Sequence, residues 1–126
     1  MASELRVNTL KDASGNNSIA TSFVANGSGK FWVRWTEIGT SAIGDSFNAA
    51  SITDNGTGDT TFAFTSSLGN TNYCLGVSNS SAEVNNSQTG LITSATASVR
   101  METRSGADNS SLDTSNNSCM IMGDLA

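Results

Sequence analysis

The chain has 126 residues, of which 21 are Ser, 15 Thr, 14 Asn and 12 Gly, so four small polar residue types make up about half of it. It contains no His and no Pro, charged residues are 13%, and the formal net charge is −5. This composition excludes a highly charged disordered tail and a coiled coil. No apolar run approaches the roughly 18 residues that a membrane helix needs, so we expect no membrane insertion.

Apolar and polar residues alternate with period two in a series of short segments. In chain order, these predicted strands are 5–10, 19–25, 31–38, 47–52, 60–65, 73–77, 95–102 and 119–122. The most apolar of them, 31–38, is predicted to be a central strand. No segment of useful length has a helical period. The pattern predicts an all-β fold, a small antiparallel β-sandwich or jelly-roll-like domain over 31–126, preceded by an N-terminal extended segment over 1–30.

A thin core and unprotected strand edges indicate a homo-oligomer. The chain has only eight aromatic residues, and it lacks the Pro that often protects an exposed edge. Trp32 and Trp35 lie on opposite faces of one predicted strand, so we expect one in the core and the other at a subunit interface. The candidate subunit-interface residues are the following apolar residues: Leu5, Val7, Phe23, Val33, Trp35, Phe62 and Phe64.

Two polar loops, 78–89 and 105–118, are the candidate recognition elements. Loops on a rigid β-scaffold commonly carry binding, and Ser and Asn side chains supply adaptable hydrogen bonds. The candidate recognition residues are Asn79, Ser80, Asn85, Asn86, Asn109, Ser110 and Asn116. The alternative interpretation is that both loops are simple solvated connectors.

The residues that acid–base and nucleophilic catalysis usually need are missing. Without His, no Ser–His or Cys–His pair can form, and we expect neither an enzyme nor a cofactor. Asp54 and Asp59 flank the segment Asp-Asn-Gly-Thr-Gly-Asp, which predicts a hairpin turn. A carboxylate pair of a glycosidase or a Ca²⁺ site is the alternative, but we expect both side chains to stabilise the turn.

Charge and cysteines restrict the expected partners further. The isoelectric point of about 4.3 argues against nucleic acid, since phosphate binding needs clustered cations and Arg100 with Arg104 is the densest cationic pair. Cys74 and Cys119 are predicted to be two small buried thiols, with a disulfide as the open alternative and no metal site. Residues 1–20 show no signal-peptide apolar region, so we expect a chain that is made in the cytoplasm and is not sent through a standard secretory route.

The opening residues 1–20, MASELRVNTLKDASGNNSIA, resemble the amino-terminal segment of small tail-fibre-like virion structural proteins of marine tailed bacteriophages. Residues 30–35 (KFWVRW), 45–48 (DSFN), 51–59 (SITDNGTGD) and 123–126 (GDLA) are similar to the same group. The resemblance does not extend over 73–122.

The resemblance implies a β-rich, homotrimeric virion component without catalytic residues. Its N-terminal segment would be the element that attaches to other virion proteins or intertwines the subunits. Its divergent loops would face outward toward a host-surface glycan or receptor. The expected function is therefore that of a tail-fibre or knob-like protein located in the virion. The alternatives are a capsid decoration or head-fibre protein and, in a different class, a stand-alone glycan-binding module.

Overall fold

The computed structural model describes residues 5–79 and 87–126, which form two four-stranded antiparallel sheets preceded by a short N-terminal arm. The elements in chain order are β1 (Thr9–Leu10), β2 (Ile19–Ala20), α1 (Thr21–Gly27), β3 (Gly29–Thr36), β4 (Ala42–Phe47), β5 (Ala49–Gly56), β6 (Asp59–Phe64), β7 (Cys74–Asn79), β8 (Gln88–Ser94), β9 (Ser98–Arg104) and β10 (Asn117–Met122). The predicted all-β sandwich is confirmed.

The first sheet has the strand order β4-β3-β10-β7, and the second has the order β5-β6-β9-β8. β3 is a central strand, as its apolar run predicts. It pairs with β10 from Trp35 opposite Asn117 to Phe31 opposite Ile121. β1 and β2 form a separate two-stranded ribbon outside both sheets.

The core lies between the two sheets and is built by period-two alternation. Phe31, Val33 and Trp35 of β3 face inward, and the ring centroids of Trp35 and Phe62 are 4.9 Å apart in an edge-to-face contact. Burial of a large apolar side chain contributes roughly 1.5–3 kcal/mol. The buried apolar residues are Phe31, Val33, Trp35, Phe62, Phe64, Leu68, Val99, Met101, Cys119 and Ile121.

This core corrects the assignment of four residues to a subunit interface. Val33, Trp35, Phe62 and Phe64 are all buried within one chain. The composition predicted a core too thin for a single copy, but two sheets of the same chain cover these side chains from both sides. They have no surface left to offer a partner.

The N-terminal arm, which we define as residues 5–28, differs from its predicted extended form. The strand predicted over 19–25 ends at Ala20, and Thr21–Gly27 is a helix instead. None of the arm residues is buried. Because this segment pairs with neither four-stranded sheet, nothing holds residues 21–25 in an extended conformation.

Two strands, β4 and β8, were not predicted from the pattern. Both lie at sheet edges and contain a glycine, Gly44 and Gly90, which weakens the strand signal. Their pairing with β3 and β9 decides their conformation.

Candidate functional site

A row of exposed apolar side chains lies on the outer face of the first sheet. Phe47, Trp32 and Met120 are register partners across β4, β3 and β10, so they point to the same side. Met122 and Cys74 are partners further along β10 and β7. Phe47 is 53% exposed, Met120 47% and Trp32 39%. We call these five residues the apolar face.

A shallow groove runs across the apolar face toward the edge strand β7. It is lined by Trp32 and Met120 together with Gly76 and Val77. Gly76 is the register partner of Met120, and a side chain at this position would meet nothing within 4 Å. Contiguous exposed apolar surface of this kind marks interaction sites in soluble proteins.

The outer face of the second sheet is polar and contains two ion pairs. Arg100 Nε donates to Asp59 Oδ1 at 2.8 Å, and Arg104 Nε donates to Glu102 Oε2 at 2.8 Å. The bound Arg100 guanidinium holds the pKa of Asp59 below its ordinary value. The outer surface of the first sheet is therefore apolar where it carries the apolar face and polar further along, where Arg34 is the register partner of Asp45 and Ser118. The outer surface of the second sheet is charged and rich in hydroxyl groups.

The arm exposes apolar side chains of its own. Leu5 is 80% exposed and Phe23 73%, and the other exposed large apolar residues of the arm are Val7, Leu10, Ile19 and Val24. Leu5, Val7 and Phe23 thus remain on the surface, where their predicted role at a subunit interface stays a prediction. The end of α1 is fixed to β3, because the buried Lys30 Nζ donates to the carbonyl oxygens of Ala25 and Ser28.

The structure does not bring the predicted recognition residues together. Asn109 lines a polar groove on the second sheet with Gln88 and Arg104, whereas Asn116 lies beside Arg34 at the first sheet. Ser80, Asn85 and Asn86 lie outside the described residues.

The four described recognition candidates are engaged with neighbouring groups. Asn79 Nδ2 donates to Thr89 Oγ1 at 3.2 Å, and Asn116 Oδ1 accepts from Arg34 Nη2 at 2.7 Å. The Asn109 carbonyl oxygen accepts from Arg104 Nη1 at 3.0 Å, and Ser110 Oγ donates to Asp108 Oδ1 at 2.8 Å.

The 105–116 segment is an ordered cap and not a loose connector. Gly58 N–H donates to Asp113 Oδ1 at 2.7 Å, and Leu112 N–H donates to the Thr103 carbonyl at 3.0 Å. Gly58 has a φ of +64°, and a Cβ there would lie 2.4 Å from the Thr103 carbonyl oxygen. The cap therefore packs directly on the β5–β6 turn, at a point where only glycine fits.

A buried polar cluster beneath this cap was missed by the sequence analysis. The Glu37 carboxylate, 2% exposed, accepts hydrogen bonds at 3.1–3.3 Å from five neutral donors. The donors are Trp35 Nε1, Thr60 Oγ1, Thr103 Oγ1, Thr114 N–H and Asn117 Nδ2. The available signal was the alternation Phe31, Val33, Trp35, which places the next odd residue, Glu37, on the buried side.

The hairpin predicted at Asp54–Asp59 is present, but its turn is shorter than predicted: Thr57 and Gly58 form the turn, and the Asn55-Gly56 pair lies at the end of β5. Gly56 N–H donates to Asp54 Oδ1 at 2.9 Å, which confirms the turn-stabilising hydrogen bond. Asp59 is held instead by Arg100 and by Asn55 Nδ2 at 3.2 Å. Over residues 5–79 and 87–126, no group of three His, Cys, Asp or Glu side chains is placed to hold a metal ion.

Both cysteines are free, but the prediction that both are buried is wrong for Cys74. Cys119 faces the core, and burial raises the pKa of its thiol to about 12. Cys74, the partner of the exposed Met122, is on the opposite side of the same sheet. The two thiols therefore cannot approach each other within one chain.

Compared with known proteins, the chain matches no family model, no curated protein and no solved structure. Among the described residues, no helix has the length and apolar character to span a membrane. The fold and its surfaces define an all-β sandwich with one apolar outer face and an exposed N-terminal arm.

Proposed function

We propose that this chain is a non-enzymatic structural subunit of a bacteriophage virion, a tail-fibre or knob-like component that assembles as a homotrimer. The observation that carries the proposal is the contrast between the apolar face, with Trp32 and Phe47 exposed, and the polar outer face of the second sheet. An assembly would cover the first surface and leave the second in water. Aromatic residues and Met are enriched at such interfaces.

The total surface supports assembly as well. The chain exposes 7526 Å², whereas a compact folded monomer of its mass, 13.0 kDa, is expected to expose about 6,300 Å². The excess of about 1,200 Å² on one chain is larger than the roughly 800 Å² that a standard interface removes from water on each partner. A subunit that completes its burial by contact with other copies accounts for this excess.

The virion location rests on the resemblance of residues 1–20 to tail-fibre-like proteins. In this proposal the arm also contacts other virion proteins. The cap at 105–116 faces outward and contacts a host-surface glycan or receptor, with weak contacts multiplied over many copies.

The oligomeric state of the purified chain tests the proposal. We expect a defined oligomer in sedimentation equilibrium and native mass spectrometry, and dissociation by Trp32→Lys on the apolar face. Thr93→Lys is the matched control, since Thr93 is exposed and pairs with Arg100 in the polar sheet. A stable wild-type monomer at every accessible concentration would contradict the proposal.

Assembly on the head is the alternative within this class, as a capsid decoration or head-fibre protein. The position and copy number of the chain on purified particles separate the two. Antibody labelling at the tail supports the proposed location, while many copies on head facets support decoration.

A glycan-binding module is the second candidate function, favoured by the polar groove that contains Gln88, Glu102, Arg104 and Asn109. Planar amide and guanidinium groups of this kind hydrogen-bond to sugar hydroxyls. Glycan-array binding by the isolated chain that Arg104→Ala abolishes would support this candidate. Binding unchanged by that substitution would count against it.

A further inference from the structure

We propose that the N-terminal arm of one copy packs on the apolar face of a neighbouring copy, with Phe23 and Val24 of α1 against Trp32, Phe47 and Met120. This inference rests on the proposed assembly and specifies which surfaces meet. The segment that covers the apolar face is then the arm of a second copy of this chain.

The arm has apolar side chains that its own chain does not cover. Phe23 and Leu5 are the two most exposed large apolar residues of the described chain. The arm cannot swing freely at its base, because Lys30 binds the carbonyl groups of Ala25 and Ser28 and is itself buried. With its base held in this way, α1 leaves Phe23 73% exposed, so that a second copy can reach it.

Exposed large apolar side chains are concentrated on these two surfaces. Of the 15 such residues in the described chain, six lie in the arm and four on the apolar face. A contact between two apolar faces would cover the four side chains of each face and leave the six side chains of the arm in water. Exchange of arms covers both sets with a single type of contact, which is why we favour the arm as the occupant.

Charge favours the same pairing. Residues 1–28 contain Glu4, Arg6, Lys11 and Asp12, so the N-terminal segment that includes the arm has no net charge. Residues 29–126 contain four basic and nine acidic residues and have a net charge of −5. An uncharged arm is not repelled by the acidic sandwich of a neighbour, whereas two sandwiches that meet directly repel each other.

The area is also sufficient. The excess surface of about 1,200 Å² over a compact monomer exceeds the roughly 800 Å² that each partner contributes to a standard interface. The arm of 24 residues offers six exposed large apolar side chains to such a contact.

Site-directed cross-linking tests the inference directly, because Cys74 is a native thiol on the apolar face and Cys119 is buried. We would combine wild-type chain with a Ser22→Cys, Cys74→Ser variant and add a short bismaleimide. Ser22 is exposed and next to Phe23, so the new thiol leaves the aromatic contact in place. We expect a cross-linked heterodimer. The matched control is a Thr93→Cys, Cys74→Ser variant, for which we expect none.

The outcomes separate this inference from the proposed function. An oligomer that cross-links only between two native Cys74 thiols has its apolar faces in contact, which overturns arm exchange and leaves assembly standing. A Ser22→Cys chain that retains Cys74 can also form an internal cross-link. An internal cross-link without any link between chains would show that the arm folds onto its own sheet, and it would overturn arm exchange. A monomer without cross-links contradicts both proposals.

Substitution of the arm residue gives an independent measurement. Phe23→Ser is expected to weaken self-association at least about tenfold, as loss of a central aromatic contact does. The thermal unfolding of the dissociated chain should not change, because Phe23 contributes to no core. Ser22→Ala is the control in the same helix. Unaltered self-association of the Phe23→Ser chain would overturn the inference.

Discussion

The Glu37 carboxylate and the Asn117 side-chain amide, 80 positions apart in the sequence, are joined by a hydrogen bond of 3.2 Å in the buried end of the sandwich. Asn117 also accepts a hydrogen bond of 2.6 Å from Thr114 Oγ1. The two residues thereby tie the end of β3 to the start of β10 and to the cap that precedes it. A core rich in Thr and Asn is stable here because each of these groups has a partner.

Loss of the Glu37 carboxylate should therefore strongly destabilise the folded chain. Glu37→Ala leaves five donors without their acceptor, and we expect a fall of more than about 3 kcal/mol in the free energy of unfolding. Glu102→Ala is the matched control: its half-exposed ion pair with Arg104 should contribute less than about 1 kcal/mol. Urea denaturation followed by tryptophan fluorescence measures both. Equal losses in the free energy of unfolding would show that the buried cluster contributes no more to stability than the half-exposed ion pair does.

Gly58→Ala should destabilise the cap far more than a glycine substitution at an open site. Both Gly58 and Gly39 have a positive φ, but an added Cβ meets backbone atoms only at Gly58. We expect about 1–2 kcal/mol for Gly39→Ala from the left-handed conformation alone, and at least twice that for Gly58→Ala. Urea midpoints of the two variants test this expectation, and similar midpoints would disprove it.

The Asp59–Arg100 pair predicts a pH-dependent contribution to stability. The pKa of Asp59 in the folded chain lies below its ordinary value of 3.8, chiefly because of the hydrogen bond from Arg100. The contribution is then fully present above about pH 5 and is lost as the pH falls through the lowered folded pKa. The Tm difference between wild type and Asp59→Asn should be small at pH 6 and vanish near pH 2. A Tm difference that grows as the pH falls would have the opposite pH dependence. It would contradict the assignment of this stability to the Asp59–Arg100 pair.

Thiol reactivity should distinguish the two cysteines. With Cys119 buried and its pKa raised to about 12, we expect it to resist maleimide at pH 8 until the chain unfolds. Cys74 should react in the folded, dissociated chain and more slowly once an assembly covers the apolar face. Intact mass spectrometry before and after guanidinium gives the count of modified thiols. Rapid labelling of Cys119 in the folded chain would place it outside the core.

Sequence patterning specified the strands whose two faces differ most. Alternation in β3 identified Phe31, Val33 and Trp35 as one face, in agreement with the structure. The turn residues of 54–59 located the β5–β6 hairpin, although its turn is residues 57–58 and not the Asn-Gly pair. These features are local, so a short window of sequence determines them.

The remaining features depend on contacts between distant segments. Val33 and Phe62 could be assigned to an interface because alternation shows a face but not what covers it. The helix over 21–27 escaped detection because seven residues are too few to separate a period of 3.6 from a period of two. The Glu37 cluster required knowledge that Thr60, Thr103 and Asn117 meet at one end of the fold.

The pairing of β3 with β10 has a consequence for how the chain folds. The central pair of the first sheet joins residues near 33 with residues near 119, so this sheet cannot close until residues 117–122 have left the ribosome. Closure of so long a loop before its contacts form is typical of slow, high-contact-order folding. Until then the inward faces of β3 and β6 stay uncovered, and the nascent chain depends on its many Ser, Thr and Asn residues to remain dispersed.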